Sequence, residues 1–371
     1  MEGINKVCIF GYDSTLGFHL AKELQETYPD IFINYWTLNK LDDSADQREN
    51  IFWGVESVDD ALHDCKIAYN VLDCRDWSLA TNKETLKYVN EDIPKLLLQK
   101  CEDKNDIALI HVSSTLVQLS NKWPNIYLKE KYEMDLEAND LPHKDYCKSK
   151  LNCENMLIKH ASSVPHLILR CTTLYGEMDL GSAVTDAKKC LLKHKKLPYF
   201  NEDNGVCQMT YAGNAASAVI KCSEKLIKEI SNKNMNEKSI SGEIIIISDH
   251  TPVINLRKAV LNPLLEENDN CLESFYAPLT GVLFLYFWLM VAFFVKILPL
   301  KNETKKVMPD YDYFLLHYYN WTFYNTYKLD HIIKWKPKYS YEESIALSTD
   351  YYKDNADIEN FKFSWENNYA K

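Results

Sequence analysis

The chain has 371 residues, 46% of them hydrophobic and 12% aromatic, with 10 Gly and 12 Pro, which excludes collagen, coiled-coil arrays and wholesale disorder. A net charge of −11 removes the positive field that phosphate-backbone binding needs, so nucleic acid is not an expected partner. Eleven Cys, among them Cys8, Cys65, Cys74, Cys101, Cys147 and Cys153, form no C-x-x-C pair and no zinc-like spacing; they read as reduced thiols facing the cytosol, and no metal is expected. Met1 to Val7 lacks the basic region, long apolar stretch and cleavage site of a signal peptide, which disfavours secretion.

In chain order, Lys6 to Phe10 predicts a buried strand, Gly11 to Gly17 a turn, and Phe18 to Tyr28 an amphipathic helix with Leu20, Ala21 and Leu24 on one face. Ile31 to Trp36, Ile51 to Gly54 and Ile67 to Leu72 predict three further strands, with a short helix over Val58 to Cys65. Helices are expected over Thr85 to Cys101 and Asp145 to Ala161, and strands over Ile107 to Ser113 and His166 to Arg170. Strands alternating with helices imply a parallel sheet with right-handed crossovers. The expected fold is therefore α/β, a doubly wound parallel Rossmann sheet over residues 1–180. Residues 181–371 form a smaller substrate lobe, to which the strand Glu243 to Ser248 is assigned, with some elements near 205–225 packing back on the first domain.

Ser274 to Val295 stands apart: 22 residues without a charge, apolar on every face, and long enough to cross a bilayer. Membrane association is expected. Lys296, Lys301, Lys305 and Lys306 follow this segment, whereas Glu266, Glu267, Asp269 and Glu273 precede it, so its C-terminal side reads as cytosolic. With the catalytic lobe also cytosolic, the segment dips into the interface rather than crossing once. A full crossing would be reported by the glycosylation sequons at Asn302 and Asn320.

Gly11 and Gly17 bracket a turn between first strand and first helix, where backbone amides and the positive helix end can receive a pyrophosphate. Two such glycines also suit a purely structural turn. Ser14 stands where a three-glycine loop has its middle glycine, and could crowd a phosphate or hydrogen-bond it. The second strand ends in Tyr35, Trp36, Thr37 and Leu38 without the acid that holds an adenine ribose about 20 residues on. Lys40 could meet a 2′-phosphate, so this stretch leaves NAD and NADP both open. The candidate cofactor residues are Gly11, Ser14, Gly17, Thr37 and Lys150.

A Tyr followed four residues later by Lys puts phenol and ammonium on one helix face, where the cation lowers the phenol's pKa and lets it shuttle a proton near neutral pH. The spacing occurs at Tyr127/Lys131, Tyr146/Lys150 and Tyr324/Lys328, and chance alone supplies such pairs in a chain with 24 Tyr. Order along the chain selects Tyr146/Lys150. That pair alone opens a helix between the fifth and sixth strands, after a strand ending in Val112-Ser113-Ser114, and strand C-terminal ends are where open α/β sheets bind ligands.

At this point the sequence resembles the extended short-chain dehydrogenase/reductases, and within them the 3β-hydroxysteroid dehydrogenase/isomerase family. The matching pieces are Gly11 to Gly17, Val89-Asn90, Ser113 to Val117, Tyr146-Cys147-Lys148-Ser149-Lys150, Leu169 to Gly176, Tyr211 to Asn214 and a closing segment from Asn325 to Ser344. An apolar segment within the second lobe is a further family trait. The resemblance implies oxidation of the 3β-hydroxyl of a sterol or steroid by hydride transfer to NAD, with or without double-bond migration. In that reading Tyr146 takes the hydroxyl proton, Lys150 holds the coenzyme ribose, Ser114 bonds the reacting oxygen, and Asn90 fixes a helix bend and a proton-relay water. The expected partners are an apolar alcohol and membrane lipid, at the endoplasmic reticulum with the catalytic domain cytosolic; a homodimer stays open.

The sequence also departs from the family. Asp73-Cys74-Arg75-Asp76-Trp77 replaces a small, histidine-containing loop and brings bulk and charge to the nicotinamide side, and Cys171 stands where the family has Pro. With Ser14 and the missing ribose acid, these changes bear on cofactor binding more than on the proton-transfer residues. A catalytically degenerate, nucleotide- or lipid-binding pseudoenzyme is therefore the second reading. A sugar-nucleotide epimerase-like enzyme is disfavoured by the apolar segment.

Overall fold

The computed structural model describes residues 4–40, 50–121, 124–132, 140–160, 163–199, 205–232, 239–265, 274–276, 281–298, 305–306, 308–354, 358 and 360–369. The first half runs β1 (Lys6–Phe10), α1 (Thr15–Thr27), β2 (Phe32–Thr37), β3 (Ile51–Trp53), α2 (Val58–Ala61), β4 (Ile67–Asn70), α3 (Lys83–Lys87), α4 (Ile93–Lys104) and β5 (Ala108–Ser114). It continues with β6 (Asn125–Leu128), α5 (Lys144–Lys159), β7 (His166–Cys171) and β8 (Thr173–Tyr175). The second half contributes α6 (Ala183–His194), β9 (Leu197–Tyr199), β10 (Met209–Tyr211), α7 (Ala212–Ser231), β11 (Ile244–Ile247), α8 (Asn262–Leu265), β12 (Ser274–Tyr276) and α9 (Gly281–Ile297).

Seven strands form one parallel sheet in the order β11-β7-β5-β4-β1-β2-β3. Its strands are buried on both faces, and at Val7 to Phe10 apolar on both, because helices cover both sides. The strand Ile244–Ile247 lies in this main sheet beside β7, not in the C-terminal lobe. Four consecutive isoleucines buried on both faces have no place on a half-exposed lobe and complete the sheet's edge instead. α7 packs on α1, its Ala215, Ala216 and Ala218 sharing a core with Leu20 and Leu24. A second cluster built on Tyr175, Val184, Leu256, Val260, Leu264 and Tyr352 forms the interior of the smaller lobe.

The chain steps outward from β1 to β2 and β3, then returns to lay β4 on the other side of β1. This reversal opens a crevice at the carboxyl ends of β1 and β4, where sheets of this kind place a ligand. The predicted helix Thr85 to Cys101 is α3 and α4 joined by a π-turn over Tyr88–Asp92. Pro94 lacks the N–H that would bond the Asn90 carbonyl, and the wider turn accommodates that loss.

The apolar segment is not one helix. Ser274–Tyr276 pairs with β9, residues 277–280 lie outside the described set, and α9 has 17 residues; no helix among the described residues is long and apolar enough to cross a membrane. α9 docks through the ring of Trp288, edge-on to Phe314 at 5.3 Å, and through buried Ala292. Leu283, Tyr286, Phe287, Leu289, Met290, Phe293 and Phe294 are exposed. Asn302 lies outside the described residues, and Asn320 is buried.

A buried ion pair fixes α5 to the sheet. Arg170 on β7 makes two hydrogen bonds to Glu154 on α5, at 3.1 and 2.6 Å, and donates to Gln118 at 2.8 Å, with both charged side chains 1% exposed or less. Glu154→Ala should strip this guanidinium of its counter-ion inside the core and cost about 3–5 kcal/mol, read as a lower urea midpoint. Glu154→Leu combined with Arg170→Met should recover most of that loss.

Candidate functional site

The loops after β1, β4 and β5 and the start of α5 enclose a cavity of about 420 Å3 at the carboxyl end of the sheet, a size typical of small-molecule sites. Asp13, Ser14, Thr15 and Leu16 line one end, and Asp73, Ser114, Tyr146 and Lys150 line the other.

At the first end Gly11 adopts φ +89° and receives the chain from β1. An added Cβ on Gly17 would stand 2.3 Å from the Gly11 carbonyl oxygen, so the crossing of turn and helix demands glycine there. Ser14 caps α1: its hydroxyl donates to the Gly11 carbonyl at 2.7 Å and accepts from the Gly17 amide at 3.1 Å. The remaining first-turn amides have no partner inside the helix. Asp13 was not singled out by the sequence, yet its carboxyl lines the cavity with one oxygen buried and unpartnered, and burial pushes its pKa up. Thr37 does not serve this cavity. It is fully buried and its hydroxyl donates to the Asn39 carbonyl at 2.7 Å, so Asn39 lines the cavity in its place.

At the other end the predicted residues converge, but their connections differ from those expected. Tyr146 and Lys150, each 1% exposed, both meet Asp73. The phenol donates to Asp73 Oδ1 at 2.9 Å, and the Lys150 ammonium sits 2.9 Å from the same oxygen while also donating to the Leu72 carbonyl at 3.1 Å. Desolvation in the cleft pushes the Asp73 carboxyl up, and Lys150 and Arg75 more than offset this, holding its pKa below the usual value. The charge of Lys150 is thus spent on Asp73. Burial first, and the Asp73 charge second, raise the pKa of Tyr146 well above that of a free phenol, with the Ser114 hydrogen bond only partly opposing them. The sequence argument that Lys150 lowers this pKa fails, because a carboxylate stands between the two groups. Ser114 lies beside the phenol as expected and also accepts from the Leu116 amide at 3.2 Å.

Asn90, in the π-turn, clamps the loop that follows β4. Its side chain accepts from the Cys74 amide and donates to the Cys74 carbonyl, both at 3.0 Å, and donates to the Ser149 hydroxyl at 2.9 Å. Its amide is therefore committed to the Cys74 peptide. Arg75 reaches across the cavity to the Gly181 carbonyl, and Trp77, which also lines the cavity, stacks on His143 at 4.7 Å and meets Tyr146 edge-on at 5.8 Å.

The C-terminal tail was not foreseen as part of the site. Phe361, Lys362, Asn368 and Tyr369 line the cavity. Asn368 accepts from the Arg75 amide and donates to the Asp73 carbonyl, both at 2.8 Å, and the Trp365 carbonyl accepts from the Trp77 amide at 2.8 Å. A run of Asn and aromatic residues in the last ten positions is the signal that could have pointed to such docking.

With this geometry in place, comparison with known proteins decides the family. The sequence profile of the 3-beta hydroxysteroid dehydrogenase/isomerase family matches residues 52–275. The chain belongs to that family. Its fold is similar to that of UDP-glucuronic acid 4-epimerase from Bacillus cereus in complex with NAD, with TM-score 0.64 and 16% identity over 94% of this chain and 99% of that one. It is also similar to dTDP-glucose 4,6-dehydratase from Bacillus anthracis in complex with NAD (TM-score 0.62, 15% identity, 96% and 98% covered). A third likeness is to ADP-L-glycero-D-manno-heptose-6-epimerase from Helicobacter pylori (TM-score 0.61, 15% identity, 94% and 96% covered).

Asn368→Ala removes both of its bonds to the 73–77 loop. With each bond worth about 1 kcal/mol, hydrogen exchange at the Arg75 amide should quicken about fivefold or more while exchange in β1 and β4 stays unchanged.

Proposed function

We propose that this protein is an NAD-dependent oxidoreductase that interconverts the 3β-hydroxyl and 3-keto group of a sterol or steroid, working at a membrane surface with its catalytic domain in the cytosol, at the endoplasmic reticulum. The observation that carries this reading is the meeting of Tyr146, Ser114 and Lys150 at the end of a cavity that begins at a glycine turn. Family membership and the NAD-bound structural neighbours support it.

The turn fits a dinucleotide: Gly11 and Gly17 let backbone approach backbone, the first-turn amides face an incoming pyrophosphate, and the cavity runs on to Tyr146. Bound there, NAD supplies the hydride acceptor. Lys150 would hold its ribose, which requires Asp73 to give up or share that ammonium. Tyr146 then gives or takes the proton at the substrate oxygen, which Ser114 positions. Because burial first and Asp73 second raise the phenol's pKa, Tyr146 is set to give its proton to a keto oxygen at neutral pH when the reduced coenzyme, NADH, would supply the hydride. Oxidation of the alcohol needs the phenol to lose its proton and so gains speed as pH rises.

One observation favours the binding-only reading: a single carboxylate already engages both Tyr146 and Lys150, and the tail holds that carboxylate's loop in place. The two readings part on a thermal-shift titration with NAD and NADP, followed by turnover of a 3β-hydroxysteroid in detergent. For the enzyme, a ligand at 100 times its dissociation constant adds about 2.7 kcal/mol, and Tyr146→Phe should abolish turnover while keeping the shift. Asp73→Asn removes the charge that opposes phenolate formation and frees Lys150 to face the phenol. Oxidation at neutral pH should therefore rise about tenfold for each unit the Tyr146 pKa falls, with the alkaline limb of the pH profile moving down. Absence of a shift with either nucleotide, in wild type and Asp73→Asn alike, rejects the enzyme.

Membrane contact rests on α9, whose exposed Phe287, Met290, Phe293 and Phe294 form an apolar face of the kind that lies in a headgroup layer. Wild-type protein should float with phospholipid vesicles. Phe293→Glu combined with Phe294→Glu should leave it in the soluble fraction without lowering its melting temperature, since neither ring is buried.

A further inference from the structure

The entrance to α5 carries a cluster that the proposed reaction does not use. His143 precedes the helix in the left-handed region, at φ +43°, a conformation with a strain cost for a side chain of this size. Its ring is 4% exposed and stacked by one face on Trp77, and neither ring nitrogen has a hydrogen-bond partner. A buried imidazole normally satisfies at least one nitrogen, because leaving both bare forfeits about 1–3 kcal/mol each.

Opposite the ring lies the segment that follows α9. Asp310 caps the turn Tyr311–Phe314, accepting from the Tyr311 amide at 2.6 Å. Asp312 accepts from the His143 amide at 2.8 Å and from the Asn121 side chain at 2.9 Å. A ring nitrogen of His143 and one oxygen from each carboxylate lie within 4.8 Å of one another. Neither aspartate has an ion-pair partner among the described residues; Lys296 acts on both through space, and Asp145 acts on Asp310. Two carboxylates and a bare imidazole converge on one point with no cation of the described residues in ion-pair contact, a donor set without its acceptor.

We propose that His143, Asp310 and Asp312 bind one divalent cation, which the donor set makes zinc. One imidazole nitrogen and two carboxylate oxygens are a set that zinc accepts, with a fourth tetrahedral position left for water, whereas magnesium and calcium prefer all-oxygen shells. Ligand atoms about 2.1 Å from one ion stand at most about 4.2 Å apart, so a small rotation of these side chains closes the site. The ion would act here as a cross-link between two segments. It ties the exit of the apolar helix α9, whose Trp288 donates to the Pro309 carbonyl, to the first turn of the helix that carries Tyr146, and it fixes the Trp77 stack between them. This assignment is independent of the oxidoreductase reading, since none of its ligands lines the cavity.

The test uses the full chain, stripped with chelator and titrated with zinc and with cobalt(II). Wild type should bind one zinc per chain and gain several degrees of melting temperature. Its cobalt adduct should show a visible spectrum without the near-ultraviolet thiolate charge-transfer band. Asp310→Asn keeps the helix cap, because Asn caps as well as Asp, and should lower zinc affinity at least tenfold; His143→Ala should do the same. The proposal is overturned if wild type binds no zinc, if both variants bind it as tightly as wild type, or if a thiolate band assigns the ion to cysteines.

Discussion

Everything at the reacting end of the cavity follows from one carboxylate shared by two partners. Lys150 is almost wholly buried, and a buried ammonium without a counter-charge costs several kcal/mol. Among the described residues its partners are Asp73 and the Leu72 carbonyl. Asp73 therefore supplies, from within the chain, the counter-charge that this buried ammonium needs. A ligand that needs Lys150 competes with a tethered group, and its apparent dissociation constant is raised by the reciprocal of the fraction of time that group is away. The same contact sets the chemistry of Tyr146, because a phenol that donates to a carboxylate resists becoming an anion itself.

Asp73 can hold this place because its loop is secured from several sides. A π-turn precedes Pro94, it presents Asn90 to the Cys74 peptide, and Asn90 also grips Ser149 on α5, the helix of Tyr146 and Lys150. The tail approaches from the opposite side through Asn368 and Trp365, and Arg75 anchors to Gly181. A change at Pro94 or Asn368 should reach Tyr146 through this loop, although neither residue touches it.

The parallel sheet was legible because its strands are continuous apolar runs separated by helix-period segments, and local pattern alone decides that. Tyr146, Lys150 and Ser114 were legible through chain order, which a parallel sheet turns into proximity at its carboxyl end. What stayed hidden depended on contacts between distant segments. Nothing near Ile244 says which sheet its strand joins, and nothing near Asp73 says that both Tyr146 and Lys150 point at it. Thr37 was a candidate cofactor residue by its place at the end of β2, and its hydroxyl instead donates to the Asn39 carbonyl two residues on. The apolar stretch from Ser274 to Val295 read as one membrane element because hydropathy carries no information about a short strand pairing at its start.

The cavity's charge also differs from that of the molecule around it. The chain carries a net charge of −11, and acids stand at both ends of the site, which would argue against an anionic diphosphate. The local balance reverses that. Burial draws the Asp13 carboxyl toward its neutral form, and Asp179 is likewise raised by burial and bonded to Ser182 and Tyr352. Asp73, the one acid here whose pKa is held low, faces two cations, Lys150 and Arg75. The reacting end is thus positive on balance, and the turn adds the amide end of α1. Net charge of the whole chain is therefore a poor guide to the charge met inside this cavity, where two cations flank Asp73.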